Sequence, residues 1–157
     1  IKKLYMIDPY AVDNYEYLGE AYMQNFYAKY SKITGEFSKA GFMRYYDNLH
    51  KEVVAKVSRY EAAEVCRMTS DAWFKKYKDV ELDWIYVDGD HSYDATFKDL
   101  NNSLKTVKKG GMILGDDYYW PNSKDGKRGV TDAVDEFVSK NNFKIYRHGQ
   151  TQFQINV

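Results

Sequence analysis

Apolar positions along this chain fall into two rhythms, short continuous runs and stripes at helical spacing. Runs at 4–7 (Leu4-Tyr5-Met6-Ile7), 64–68, 83–88 and 112–115 are rich in apolar, β-branched or aromatic residues and predict buried strands. Between them, Leu18, Tyr22, Phe26 and Tyr30 recur every fourth position and predict a helix over 13–30, with Asp13 available as its N-cap. Tyr46, Leu49, Val53 and Val57 predict a second helix over 43–59, after a loop at 31–41 that contains Gly35 and Gly41. Thr69-Ser70-Asp71 reads as the capped start of a short helix over 72–77. Phe97, Leu100, Leu104 and Val107 mark a helix over 94–108, ended by Gly110-Gly111, and Val130, Ala133, Val134, Phe137 and Val138 mark one over 129–140. Two final strands, 143–147 and 152–157, flank His148-Gly149-Gln150-Thr151 as a hairpin. The order β-α-α-β-α-β-α-β-α-β-β predicts an α/β fold: a mostly parallel sheet, helices on both faces, and antiparallel pairing at one edge.

The chemistry-bearing residues gather at strand ends. The apolar run Trp84-Ile85-Tyr86-Val87 stops abruptly in Asp88-Gly89-Asp90-His91, and Met112-Ile113-Leu114-Gly115 stops in Asp116-Asp117. Ligands of open α/β sheets bind outside the carboxyl ends of the strands, so both acid-tipped ends are placed for function. Carboxylates converging there repel unless they are protonated or bridged by a cation, and an all-oxygen set suits Mg²⁺ or Ca²⁺. The bland alternative is that Asp88 caps a turn and Asp116-Asp117 is a solvated loop. Pro9 ends the first strand and leaves Asp8 at its tip.

Composition narrows the class. At 157 residues the chain fits one domain with a sizeable core. Lys plus Arg and Asp plus Glu both number 23, so no global field recruits nucleic acid or an anionic membrane. Lys75-Lys76 and Lys108-Lys109 read as solvated helix ends, His50 as a surface residue. The lone Cys66 excludes an internal disulfide, reads as a buried inert thiol, and suits a reducing, cytoplasmic setting. No run is long enough to span a bilayer, and no signal-peptide pattern is present. The chain opens at Ile1, almost inside a strand, which is expected of part of a longer polypeptide.

With IDPY (7–10), DWIYVDGDHSY (83–93), GGMILGDDY (110–118) and GVTDAVDEF (129–137) in view, the chain resembles class I S-adenosylmethionine-dependent methyltransferases. It is most similar to the group carrying a DGDHSY-type motif (methyltransferase domain 24-like), related to macrocin- and catechol-type O-methyltransferases. The resemblance implies a Rossmann-like sheet of strand order 3-2-1-4-5-7-6, N-terminally incomplete here, because 4–7 maps to strand 2 and strand 1 with its Gly-rich turn is missing. Strand 2 must then pair with strand 4, or a partner chain or upstream residues must fill the gap; upstream residues are the expectation. The implied reaction is metal-assisted O-methylation of a small-molecule hydroxyl, sugar or phenolic, with S-adenosylmethionine and a divalent cation. The resemblance assigns Asp88, Asp116 and Asp117 to the metal and Asp8, Ser70 and Gly89 to the cofactor. It makes His91 the general base, with Asp90 the competing candidate. Helix 13–30 and loop 119–128 would border the acceptor pocket, and a homo-oligomer is left open.

Two other readings compete. Asp88-Gly89-Asp90 fits the Asp-x-Asp signature of metal-dependent nucleotide-sugar glycosyltransferases, although Gly110-Gly111, Asp116-Asp117 and the closing hairpin are better explained by a methyltransferase. A truncated, non-catalytic domain could instead serve as an interaction module, presenting the aromatic helix at 13–30.

Overall fold

The protein's structure, a computed structural model, describes residues 1–11, 19–119 and 128–157. The chain divides into two compact units, Ile1–Trp73 and Phe74–Val157. The start of the expected helix over 13–30 and most of the loop 119–128 lie outside the described residues.

In the first unit β1 (Leu4–Ile7) pairs in parallel with β2 (Ala63–Cys66), Leu4 opposite Ala63 and Ile7 opposite Cys66. Between them run α1 (Glu20–Thr34) and α2 (Lys39–Val57). Part of the aromatic stripe is core packing: Phe26 and Tyr30, with Tyr46, lie against the buried Met23, Tyr27 and Phe42, whereas Tyr22 is exposed. The ring centroids of Phe26 and Phe42 lie 4.8 Å apart. The expected loop at 31–41 is shorter in the structure. Gly35, at φ 75°, ends α1 in the left-handed conformation that glycine adopts without steric cost. Gly41, however, lies in the first turn of α2, where its N–H donates to the N-cap Ser38 Oγ at 3.0 Å. A glycine there is explained by crowding, since a Cβ would sit 2.5 Å from Glu36 Cβ. Cys66 is buried, as its strand setting implied, and is not part of a disulfide. His50 is not a plain surface residue; it is half-buried, with its ring edge-on to Tyr10 at 5.0 Å.

The second unit follows α3 (Ser70–Lys76), which runs across the division. It contains β3 (Leu82–Val87), α4 (Tyr93–Thr106), β4 (Val107–Gly115), α5 (Gly129–Asn141), β5 (Ile145–His148) and β6 (Gln152–Asn156). The sheet order is β3-β4-β6-β5, with β3 and β4 parallel and the other pairings antiparallel. Leu100 of α4 and Val134 and Phe137 of α5 meet Ile113, Phe153 and Ile155 of the sheet in one buried cluster. Alternation along the strands turns these residues to one face and leaves Trp84, Tyr86 and Tyr146 exposed.

One boundary differs from the periodicity. Val107 continues the stripe of α4 but is extended and already belongs to β4. Burial satisfies the stripe either way, since Val107 packs in the same cluster as Leu100. Gly110-Gly111 therefore does not end a helix. The pair sits in an irregular stretch of β4, where the register passes from Leu82 opposite Val107 to Trp84 opposite Met112. Gly110 has φ 80°, and a Cβ on Gly111 would lie 2.6 Å from the Asp83 carbonyl oxygen. Lys108-Lys109 lies in that strand rather than at a helix end, with Lys108 paired to Asp83. Among the described residues no helix is long and apolar enough to cross a membrane.

α4 and α5 are joined by a hydrogen bond from Tyr93 Oη to Glu136 Oε2 at 2.5 Å. That bond, ahead of burial, pushes the Tyr93 hydroxyl up to about 12 from its ordinary 10.0. A pKa raised on folding adds stability that is whole below the unfolded value and lost as pH climbs through the folded one. Tyr93→Phe should accordingly cost about 1 kcal/mol at neutral pH. Its urea midpoint should converge on the wild-type value between pH 10 and about 12; a constant gap across that window would show that the hydroxyl stabilises in some other way.

Candidate active site

The candidate site is built at the carboxyl tips of β3 and β4, within the second unit. After Val87 the chain turns through Asp88-Gly89-Asp90-His91 into α4. Asp90 Oδ1 accepts the Ser92 N–H at 2.7 Å, and the Asp90 carbonyl accepts the Thr96 hydroxyl at 3.2 Å. Ser92 Oγ in turn accepts the Ala95 N–H and caps α4. These bonds fix the turn on both sides of His91. At β4 the Asp116 N–H donates to the Val87 carbonyl at 3.2 Å, which carries the parallel pairing one residue beyond the strand. Asp117 then adopts φ 57°, a left-handed conformation that aspartate tolerates better than most residues.

This folding brings Asp88, His91 and Asp117 together. His91 Nε2 lies 3.1 Å from Asp117 Oδ2 and 3.9 Å from Asp88 Oδ1. Each of the three offers a ligand atom within 4.8 Å of the other two, close enough for one ion to bridge. Asp116 is turned differently. Its Oδ1 accepts the Asp117 N–H at 2.8 Å, and its Oδ2 faces the Tyr86 hydroxyl at 3.4 Å. Val87, Asp88, His91, Thr96, Val130 and Phe153 line part of a small cavity at the tips, to which Gly89, Asp90 and Asp116 also contribute. Gly89 is exposed, and a Cβ there would make only ordinary contact with Asp99.

The two strand-tip acids are driven in opposite directions. Burial, and then the neighbouring charge of Asp117, raise the Asp88 carboxyl above its ordinary 3.8, while His91 pulls the other way. Asp116 is held below 3.8, first by a hydrogen bond from Thr151 and then by the Asp117 N–H. Tyr86 and Gln152 complete that arrangement, Gln152 Nε2 donating to Tyr86 Oη at 3.0 Å.

The other two residues singled out for the cofactor belong to the first unit. Asp8 is exposed at the tip of β1, and its Oδ1 accepts the Tyr10 N–H at 2.6 Å. Ser70 is the first residue of α3, but the side-chain cap there is Thr69, whose hydroxyl accepts the Ala72 N–H at 3.2 Å.

Sequence reasoning missed Tyr86, Thr151 and Gln152, which hold Asp116 from a neighbouring strand and the hairpin. It also passed over the reason for Gly129. The first residue of α5 lies against the His91 turn so closely that a Cβ would come 2.1 Å from the His91 carbonyl oxygen. The only signal of this was the glycine's place at the head of a helical stripe.

Parallel strands ending in acids, an antiparallel hairpin closing the sheet and helices between them define a Rossmann-like methyltransferase fold. The strand orders β2-β1 and β3-β4-β6-β5 reproduce the 3-2 and 4-5-7-6 portions of the expected order. A family model described as a methyltransferase domain matches residues 2–118, and the chain belongs to that family. A protein of Staphylococcus aureus assigned as a caffeoyl-CoA O-methyltransferase has a similar structure, with TM-score 0.54 and 9% identity over 88% of this chain and 84% of that one. The Podospora anserina methyltransferase PaMTH1, solved with S-adenosylhomocysteine bound, aligns at TM-score 0.51 and 13% identity over 99% of this chain and 71% of that one. At these identities the likeness is one of fold. An uncharacterized protein of Acanthamoeba polyphaga mimivirus is 34% identical over 71 residues, covering 45% of this chain. The chain spans 30% of the length of that viral relative.

Proposed function

We propose that the protein takes part in S-adenosylmethionine-dependent O-methylation of a small-molecule hydroxyl, with a divalent cation at the tips of β3 and β4. The observation that carries this reading is the convergence of Asp88, His91 and Asp117 at strand ends of a methyltransferase-family fold. S-adenosylmethionine would supply the methyl group, and a hard cation would relieve the carboxylate repulsion and lower the pKa of an acceptor hydroxyl.

In this reading Asp88 and Asp117 hold the cation. Asp116 can join them only by loosening the set that holds it, Thr151, the Asp117 N–H and the long 3.4 Å contact with Tyr86. His91 is assigned to take the hydroxyl proton. Its Nε2 is 3.1 Å from the Asp117 carboxylate, the kind of partner that fixes an imidazole's orientation and tautomer in acid–base sites. Asp90, with one oxygen engaged by Ser92, is the weaker candidate for that proton. Asp8, Ser70 and Gly89 are assigned to the cofactor. For Asp8 the support is an exposed carboxylate at a strand tip, where acids meet ribose hydroxyls in nucleotide-binding α/β folds. Fixed positions for these groups matter because methyl transfer from a sulfonium is an in-line displacement, and orientation supplies much of the rate. The acceptor is a small molecule, sugar or phenolic.

The test is calorimetric titration of S-adenosylhomocysteine with Mg²⁺ and again with EDTA, followed by Mn²⁺ titration of wild type and His91→Gln. Saturable S-adenosylhomocysteine binding is expected. His91→Gln should keep Mn²⁺ affinity within about threefold while losing methyl transfer by about 10²- to 10⁴-fold, the range of a general base. A collapse of Mn²⁺ affinity would make His91 a ligand instead, and absence of both ligands from the wild-type chain would sink the reading.

A further inference from the structure

The left-handed turn at Asp117 is held from its far side by Tyr118, a residue that the reading above does not use. Tyr118 is 2% exposed and is fixed through backbone and side chain alike. Its N–H donates to the Thr151 carbonyl at 2.9 Å, and its own carbonyl accepts the hydroxyl of the buried Thr131 on α5. Its phenol donates to Asp135 Oδ1 at 2.5 Å and accepts from Arg147 at 3.0 Å. The Arg147 guanidinium also lies 4.8 Å from the ring centroid. A strand, a hairpin turn and a helix therefore converge on the residue that follows Asp117. An αL aspartate is a minor state of a free chain, and it persists where neighbouring contacts over-determine it. With Tyr118 held by these contacts and the Asp116 N–H bonded to the Val87 carbonyl, the backbone is constrained on both sides of Asp117, whose Oδ2 lies 3.1 Å from His91 Nε2.

We propose that Tyr118, anchored by Thr131, Asp135 and Arg147, is the positioning residue for the Asp117 carboxylate. The purpose of that placement rests on the functional reading above; the placement itself can be measured without cation or cofactor. Because the chain has only 3 histidines, the ¹⁵N imidazole resonances of His91 are assignable through His91→Gln. The spectra are recorded at a pH of about 9, above the ordinary histidine range, where imidazole ¹⁵N shifts report tautomer and hydrogen bonding. Asp117→Asn is expected to move these resonances. Tyr118→Phe, which keeps the packed ring but removes both phenol bonds, should move them in the same direction. Asp135→Asn should do so to a smaller extent, and it decides the matter if Tyr118→Phe fails to fold.

Unchanged His91 resonances in folded Tyr118→Phe and Asp135→Asn, against a clear change in Asp117→Asn, would overturn the proposal. So would unchanged resonances in Asp117→Asn, since the carboxylate would then not be directed at His91. A second readout is Mn²⁺ affinity, expected to fall about tenfold in Tyr118→Phe, the lower range for partners that orient a ligand. Should the wild type bind neither Mn²⁺ nor S-adenosylhomocysteine, the functional reading fails, and the histidine spectra still decide the role of Tyr118.

Discussion

Asp88→Asn is expected to weaken Mn²⁺ binding by at least about a hundredfold, more than the loss of an orienting partner costs. Methyl transfer should fall with it, on the order of a thousandfold, if the cation contributes several kcal/mol to the reaction. The cation-free protein should respond in the opposite sense. Burial and the charge of Asp117 raise the Asp88 carboxyl, so at neutral pH its ionised form works against the fold. A carboxyl raised on folding makes the protein gain stability as pH falls through the raised value toward the ordinary 3.8. Removing the charge should therefore leave the cation-free melting temperature unchanged or higher, and it should erase the stabilisation that Mg²⁺ gives the wild type. Asp116 is the counter-case. Its carboxyl is lowered, so the stability it supplies is present above 3.8 and lost as pH falls through its depressed value. Melting curves with Mg²⁺ or EDTA check the first claim; an Asp88→Asn protein that still gains stability from Mg²⁺ would remove Asp88 from the cation set.

Gly129→Ala should be the most disruptive single methyl addition near the site. The new Cβ would meet the His91 carbonyl oxygen at 2.1 Å and the carbonyl carbon at 3.3 Å. Both are backbone atoms of a turn tied down by Asp90, Ser92 and Thr96, so neither can rotate away. Overpacking of this kind costs about 1–3 kcal/mol. Any relief must come from moving the His91 turn relative to α5. Displacement of about 1 Å at a reacting group can cost about a hundredfold in rate. A suitable comparison is Gly149→Ala in the hairpin turn, where φ is 61° and nothing lies within 4 Å of a new Cβ. It should cost about 1 kcal/mol through backbone strain and leave methyl transfer intact. Urea midpoints and rates for the two variants separate loss of fold from loss of site; equal rates in both would mean that Gly129 matters only for packing.

Much of this architecture was legible because each stretch needs only its own neighbours to declare itself. An apolar run closed by Asp-Gly-Asp reads as a strand and its tip without any knowledge of the partner strand. The stripe Val130, Ala133, Val134, Phe137 reads as one buried helical face, and all four residues are buried. The same logic failed at Val107 and at Gly41. A buried valine fits the end of a helix and the start of a strand equally well. A glycine inside a helix is recognised only through the Glu36 side chain that presses on it.

The sequence by itself determined the alternation of elements, the acids at two strand ends and the resemblance to methyltransferases, because these are properties of local pattern and order. It determined the presence of Asp88, His91, Asp116 and Asp117, but not which of them meet. Only the tertiary structure decided that His91 faces Asp117, that Asp116 turns toward Tyr86, and that Tyr118 and Gly129 press on the two sides of the site. Those relations depend on side-chain direction at a left-handed residue and on the approach of helix to turn. Both are set by contacts between segments far apart in the chain, where periodicity carries no information.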